Sequence, residues 1–318
     1  MARIDTLSNF LTDVADSIRE KKGTTEEIPA ANFDTEIESI PSGGGSADNY
    51  FDLTKKSSGA AVTYIKTIPQ IDTSNYTNIG SMFNGFEVLT SIPLLDTSKA
   101  TYMDYMFSNC KKLTSIPLLD ISKVTSMGYA FLSCYELKSI PLLNTSNVVD
   151  MKYAFSGCHA LTSIPEIDTS SVTTMDSAFS NCYLLEEIPS LNTSNLVDMG
   201  SIFSSCYQLK TVPLLDATKV KTISNAFSSC GKLEDLGGLE NLGQAYSASD
   251  SANKYAYKLD LSSSVNLTHD SLMNIINNLY DIATAGVAQQ QLELGATNLA
   301  KLTADEIAVG TSKGWALS

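Results

Sequence analysis

The sequence has almost no arginine: of its 21 basic residues, only Arg3 and Arg19 are not lysine. Arginine carries most bidentate phosphate recognition, and 35 acidic side chains bring the formal net charge to −14. DNA, RNA and anionic membranes are therefore poor partners. Histidine is as scarce, with His159 and His269 alone, so imidazole metal sites and general bases have little to build from. No Gly-x-Ser-x-Gly, His-Glu-x-x-His, P-loop or Cys-x-x-Cys pattern occurs. The expectation is a protein that is not an enzyme and uses neither cofactor nor metal. No apolar run approaches the ~20 residues a helix needs to cross a bilayer, which argues against membrane insertion. The first 23 residues lack the apolar stretch and small-residue cleavage site of a signal peptide.

What is present is periodic. Seven of the nine prolines fall 24 residues apart, from Pro69 through Pro93, Pro117, Pro141, Pro165 and Pro189 to Pro213. Phenylalanine keeps the same period at Phe83, Phe107, Phe131, Phe155, Phe179, Phe203 and Phe227. All six cysteines follow it too: Cys110, Cys134, Cys158, Cys182, Cys206 and Cys230, with Phe86 in that column of the first unit. Three residue types in register over seven periods specify a tandem repeat at 68–235.

Each unit divides into two short pieces. The segment around Leu113, Ile116 and Leu119 is β-compatible, and its proline suits a position that needs no backbone donor. An Asp/Asn-Thr-Ser turn or cap signal follows. Val124, Met127, Phe131 and Cys134 then step by 3, 4 and 3, the spacing of one helical face. One unit cannot bury both faces, so neighbours must stack into an α/β repeat solenoid, a right-handed rod of the leucine-rich-repeat type. At ~4.8 Å per strand step, seven units span roughly 30–35 Å.

The flanks read as closing pieces. Residues 46–67 hold a first strand and an N-terminal cap. Residues 236–318 hold two longer strand–helix units, with Leu259 and Leu261 in a strand, Leu272, Ile275, Ile276 and Leu279 on a helix face, and a capping box at Thr303–Glu306. Residues 1–45 differ: Leu7, Leu11, Val14 and Ile18 form an a/d seam, and Ser42–Ser46 is a Gly/Ser linker. This is a small helical module, either for attachment and oligomerisation or as a plain cap.

The unit, with its Asp/Asn-Thr-Ser-x-Val-x-x-Met, Met-Phe, Cys and Leu pattern, resembles the BspA-type bacterial leucine-rich repeat. Ile-Pro stands where that family often has Leu-Asp-Leu. Separately, the opening from Asp5 to Ile40 is similar to openings of tail proteins in phages and prophages of Gram-positive bacteria. Together the resemblances imply a tail-associated protein of a phage or phage-like particle. It would attach to other tail or baseplate proteins through residues 1–45, form a homo-trimer, and be extracellular after host lysis. Its solenoid would bind a bacterial cell-surface glycan or protein. A purely structural tail role and a BspA-like surface adhesin are the alternatives.

Three kinds of column remain to be assigned. The cysteines face their own equivalents along the stack and suit a core of small buried residues. The Asp/Asn column (Asp72, Asp96, Asp120, Asn144, Asp168, Asn192, Asp216) exchanges the two residues freely, as turn duty allows and calcium binding does not. Tyr105, Tyr129 and Tyr153 form one aromatic column; Tyr135, His159, Tyr183 and Tyr207 form another. Both vary in residue type, so both are expected at the surface, either stacking on sugars or contacting protein, or shielding the rod.

Overall fold

The computed structural model describes residues 66–68, 71–247 and 257–318. The helical module at 1–45, its linker and most of the cap at 46–67 lie outside the described residues. Of that cap, Thr67 pairs in parallel with Ser91, and Ile68, at the start of the repeats, packs against the core.

The repeats stack as a solenoid, but their second half is not helical. In the third unit Met127, Tyr129, Phe131 and Ser133 donate backbone N–H groups to the carbonyls of Asp150, Lys152, Ala154 and Ser156 in the next unit, at 2.7–3.0 Å. The residues between them turn inward: Ala130, Leu132 and Cys134 donate to Met127, Tyr129 and Phe131, three residues back. Donors thus alternate between the neighbouring unit and a tight turn, where a helix would send each one four residues back. Tyr129 and Ser133 sit at φ 58° and 59°, which no continuing right-handed helix allows. Successive turns bring side chains inward at the same 3–4 residue spacing as a helix, so the pattern by itself does not separate the two.

The β-reading also shifts. The parallel bridges run through Asn78, Tyr102, Ser126, Asp150, Thr174, Asp198 and Thr222, ahead of the turn ribbon. Among the described residues, the proline-bearing segments are joined elsewhere by the single bridges Thr67–Ser91 and Glu187–Thr211, and form two-residue strand pairs only at the end of the array. There β1 (Thr211–Val212) pairs with β3 (Asp235–Leu236), and β2 (Leu215–Asp216) with β4 (Leu239–Glu240). The reason lies opposite Pro213 and Leu214, where the next unit has Gly237 and Gly238. A Cβ on Gly237 would come within 2.6 Å of the Leu214 nitrogen. With glycine there, Gly237 N–H reaches the Val212 carbonyl at 2.8 Å. Between the inner repeats proline faces proline, and each removes a donor.

The core is a set of identical columns. The seven phenylalanines stack with centroids 5.2–5.9 Å apart, and the first also meets Phe86 edge-on. Each cysteine thiol donates to the carbonyl of the phenylalanine 27 residues earlier, from Cys110 to Phe83 through Cys230 to Phe203, at 3.1–3.4 Å. The thiol is small enough for the column and supplies a donor that alanine would lack. Burial pushes every one of these thiols up, Cys110, Cys182 and Cys230 to about 12, so they stay protonated and unreactive. The Asp/Asn column closes turns: Asp96 and Asp120 accept from the backbone N–H of Ser98 and Ser122 at 3.0 Å, and Asn144 and Asn192 do the same.

Beyond residue 257 true helices appear. Strands β5 (Lys258–Asp260), β6 (Gln290–Glu293) and β7 (Trp315–Leu317) form a parallel sheet in that order. Helix α1 (His269–Asn278) buries Leu272, Ile275 and Ile276, and its Ser271 hydroxyl bridges the N–H and C=O of Leu236. Helices α2 (Gly295–Leu299) and α3 (Ala304–Ser312) follow. The capping box is present at the start of α3: Thr303 N–H donates to Glu306 Oε2 at 2.7 Å, and Glu306 N–H to Thr303 Oγ1 at 3.3 Å. No helix among the described residues is long and apolar enough to cross a membrane.

Candidate binding face

The turn ribbon positions both aromatic columns. Because each unit hydrogen-bonds to the next in the same register, equivalent side chains repeat at about the strand spacing of ~4.8 Å. Tyr105, Tyr129 and Tyr153 stack at 4.6 and 4.9 Å with interplanar angles of 6° and 7°. Tyr135, His159, Tyr183 and Tyr207 stack at 4.4, 4.3 and 5.1 Å. The structure therefore brings each column together as one continuous pile of rings. Three of the four column ends are the most exposed rings, Tyr105 at 38%, Tyr135 at 37% and Tyr207 at 46%, while the fourth end, Tyr153, is half-buried like the interior Tyr129, His159 and Tyr183.

Inside each pile every ring face is covered by the next ring. Only edges and hydroxyls reach solvent there. Open faces exist at the ends alone.

The first column is held against conformational preference. Tyr105, Tyr129 and Tyr153 have φ 59°, 58° and 53°, whereas the same position is Ser81, Ser177, Ser201 and Asn225 in the other units. A bulky residue in the left-handed region costs ~1–2 kcal/mol that asparagine or glycine largely avoids. Stacking returns ~0.5–1.5 kcal/mol per ring pair, which offsets the cost relative to asparagine, whereas serine at the same φ bears the backbone cost without the stacking.

Charged groups frame this column. Lys152 pairs with Asp176 at 2.9 Å and lies 5.7 Å from the Tyr153 ring centre. Asp104 accepts from the Ser126 hydroxyl at 2.6 Å and from Gly128 N–H at 2.9 Å. It also holds the Tyr102 hydroxyl, whose pKa this hydrogen bond, with burial, pushes up to about 12. In the second column, burial of His159 between Tyr135 and Tyr183 lowers its pKa and keeps the imidazole neutral.

Sequence reasoning missed two surface features. Tyr102 is 40% exposed beside Tyr105, in a column otherwise made of Asn, Ser, Thr and Asp. Leu118 and Leu142, each following its repeat's proline, point outward at 60% and 62% exposure, while Leu119 and Leu143 enter the core. The double leucine after proline was the available signal: on an extended segment, adjacent residues face opposite ways.

No group of three His, Cys, Asp or Glu side chains among the described residues is placed to hold a metal ion. His269 is used on the surface, its Nε2 2.9 Å from Glu306 Oε1, so it ties the start of α1 to α3.

These features define a class: a tandem-repeat solenoid with a uniform core and a laddered surface. Comparison with known proteins places it more closely. The family model described as "Mycoplasma protein of unknown function, DUF285" matches residues 52–163 and 129–236, and the chain belongs to that family. Its repeats are of the BspA-like kind. A leucine-rich cell surface protein from Faecalibacterium prausnitzii A2-165, solved by crystallography, is similar at 21% identity and a TM-score of 0.40. That alignment covers 71% of this chain and 62% of the other, so the chain spans less than two thirds of that protein's length. No curated protein matches.

Proposed function

We propose that the chain is a non-catalytic adhesive scaffold that recognises a cell-surface glycan or protein through the side of the solenoid carrying the aromatic columns. The observation that carries this reading is the Tyr105–Tyr129–Tyr153 pile. Three consecutive units hold tyrosine at left-handed φ, where serine or asparagine serves the fold elsewhere. The ribbon accepts serine at the same left-handed φ in three other units, so it does not require an aromatic there, and three adjacent tyrosines build one surface stack suited to contact. Membership of a BspA-like repeat family supports a surface role.

A second reading places the same scaffold on the tail of a phage or phage-like particle, attached through residues 1–45, trimeric, and extracellular after lysis. It rests on the similarity of that opening segment to tail proteins.

The test is binding of the fluorescently labelled full chain to a panel of bacterial cells, isolated walls and animal cells. A variant combining Tyr129→Ser, Tyr153→Ser, Tyr183→Ala and Tyr207→Ala is run beside it. Saturable binding that weakens in the folded variant is the expected outcome. Absence of binding across the panel by folded wild type would defeat the adhesive reading.

A further inference from the structure

Each pile of rings has two ends, and the neighbouring unit decides whether an end face is open. Beyond Tyr153 stands Ser177, and the Lys152–Asp176 ion pair lies against that side. Before Tyr135 stands Lys111, held by Glu87 at 2.8 Å. Before Tyr105 stands Ser81, at the same left-handed position in the ribbon. Beyond Tyr207 the column continues as Gly231, which has no side chain.

The space over Gly231 is open and its conformation ordinary. A Cβ built there meets only the Ser263 carbonyl, at 3.9 Å, and Gly231 is not among the glycines with positive φ. Its glycine is thus explained neither by backbone geometry nor by a close neighbour. What it does is leave the outer face of Tyr207, the most exposed ring of the two columns, free of the ring a fifth aromatic would supply.

The far wall of this space is firmly held and, apart from exposed Val265, polar. Asn266 Nδ2 donates to the Gly231 carbonyl at 2.8 Å, Ser229 N–H to the Ser263 hydroxyl at 2.9 Å, and Ser264 Oγ to the Cys230 carbonyl at 3.2 Å. Buried Asn298 donates to the carbonyls of Leu261 and Ser264, and Lys301 Nζ to those of Val265 and Leu267. The loop at 261–267 is therefore fixed beside the ring before any ligand arrives, which lowers the ordering cost of binding.

From this geometry we infer that the Tyr207 face over Gly231 is a subsite for one neutral pyranose ring, stacked on the tyrosine and hydrogen-bonded at its rim by the 263–266 loop. A pyranose presents an apolar C–H face to an aromatic ring and hydroxyls at its edge, matching one open ring and one polar wall. An aromatic peptide side chain would need an apolar pocket, and the one exposed apolar residue of this loop, Val265, does not form one by itself. The formal charge of −14 disfavours acidic sugars. The inference rests on the adhesive reading and supplies its ligand class.

The test uses the full chain and an array of immobilised neutral oligosaccharides: tetramers of N-acetylglucosamine, glucose, galactose and rhamnose. Wild type is compared with Tyr207→Ala, which removes the platform, and Gly231→Tyr, which adds a fifth ring and fills the space. Binding of wild type to at least one tetramer is expected, with about tenfold loss in both variants, the equivalent of one stacking contact. Gly231→Tyr should unfold no lower than wild type, so its loss cannot be put down to misfolding. Undiminished binding in both folded variants would overturn the subsite. Capture of a phenylalanine-containing peptide in preference to every sugar would overturn the ligand class. Failure of wild type to bind any tetramer, with saturable binding to whole cells retained, would overturn the inference and leave the adhesive reading standing.

Discussion

The inner phenylalanine ladder and the outer tyrosine–histidine ladders share one 24-residue period, yet their faces meet different surroundings. The inner rings are wholly enclosed and unbroken over seven units, from Phe83 to Phe227. The outer rings are half-covered, broken by serine, lysine and glycine, and in one column held at left-handed φ. A ladder that the fold requires cannot miss a rung, because a gap in a closed stack is a cavity. One that may start and stop anywhere is answering to something other than core packing.

The largest effect that should separate the two is truncation. Phe155→Ala leaves a hole between Phe131 and Phe179 and should cost about 3–5 kcal/mol in denaturant unfolding. Tyr129→Asn should stay within about 1 kcal/mol of wild type, because relief of the left-handed backbone offsets the lost stacking. Equal costs for the two would erase the distinction between the ladders.

Thiol chemistry sharpens the inner side. All six cysteines, held protonated by burial, should resist a thiol-specific chromophoric reagent at pH 8 in the folded protein and react together in guanidinium. A single thiol that labels rapidly under native conditions would mean that its unit opens locally.

A smaller effect concerns a polar flaw in the core. Thr73, Thr145 and Thr169 donate to carbonyls of the following unit, whereas the buried hydroxyls of Thr97 and Thr193 find no partner. The units after these two replace threonine with Ile121 and Ala217. Thr97→Val should therefore be neutral or stabilising by up to about 1 kcal/mol, and Thr145→Val destabilising, by thermal melting.

The smallest effect is in pH dependence, where the two histidines pull in opposite directions. His159 has its pKa lowered by burial, so the unfolded chain takes a proton more readily than the folded one. Its contribution is full above about 6.5 and declines as pH falls through its folded value. His269 has its pKa raised, first by Glu306 and then by Asp270, so its contribution is full below about 6.5 and is lost as pH rises through its folded value. In melting midpoints from pH 5 to 8, His159→Tyr should flatten the acid side and His269→Gln the other. Profiles that coincide for both variants and wild type would remove any difference between stack and surface.

Much of this was legible in the residues. Period, core columns, the Asx turns and the capping box of α3 followed from spacing and residue type. The distinction between helix and turn ribbon did not. Met127, Phe131 and Cys134 repeat at helical intervals either way, and nothing local states that Tyr129 N–H will leave its own unit for Lys152. The open end of the second column was visible as Gly231, but its significance depended on the loop around Ser263, 32 residues further on.

What the sequence determined alone was the repeat and the identity of its inward-facing residues, because a stacked core demands the same side chain at the same place in each unit. Only the tertiary structure decided which way the outer rings face. Their planes are set by the neighbouring unit's hydrogen bonds, so they pile on one another along the rod, and an open ring face survives only where the next unit withholds a side chain.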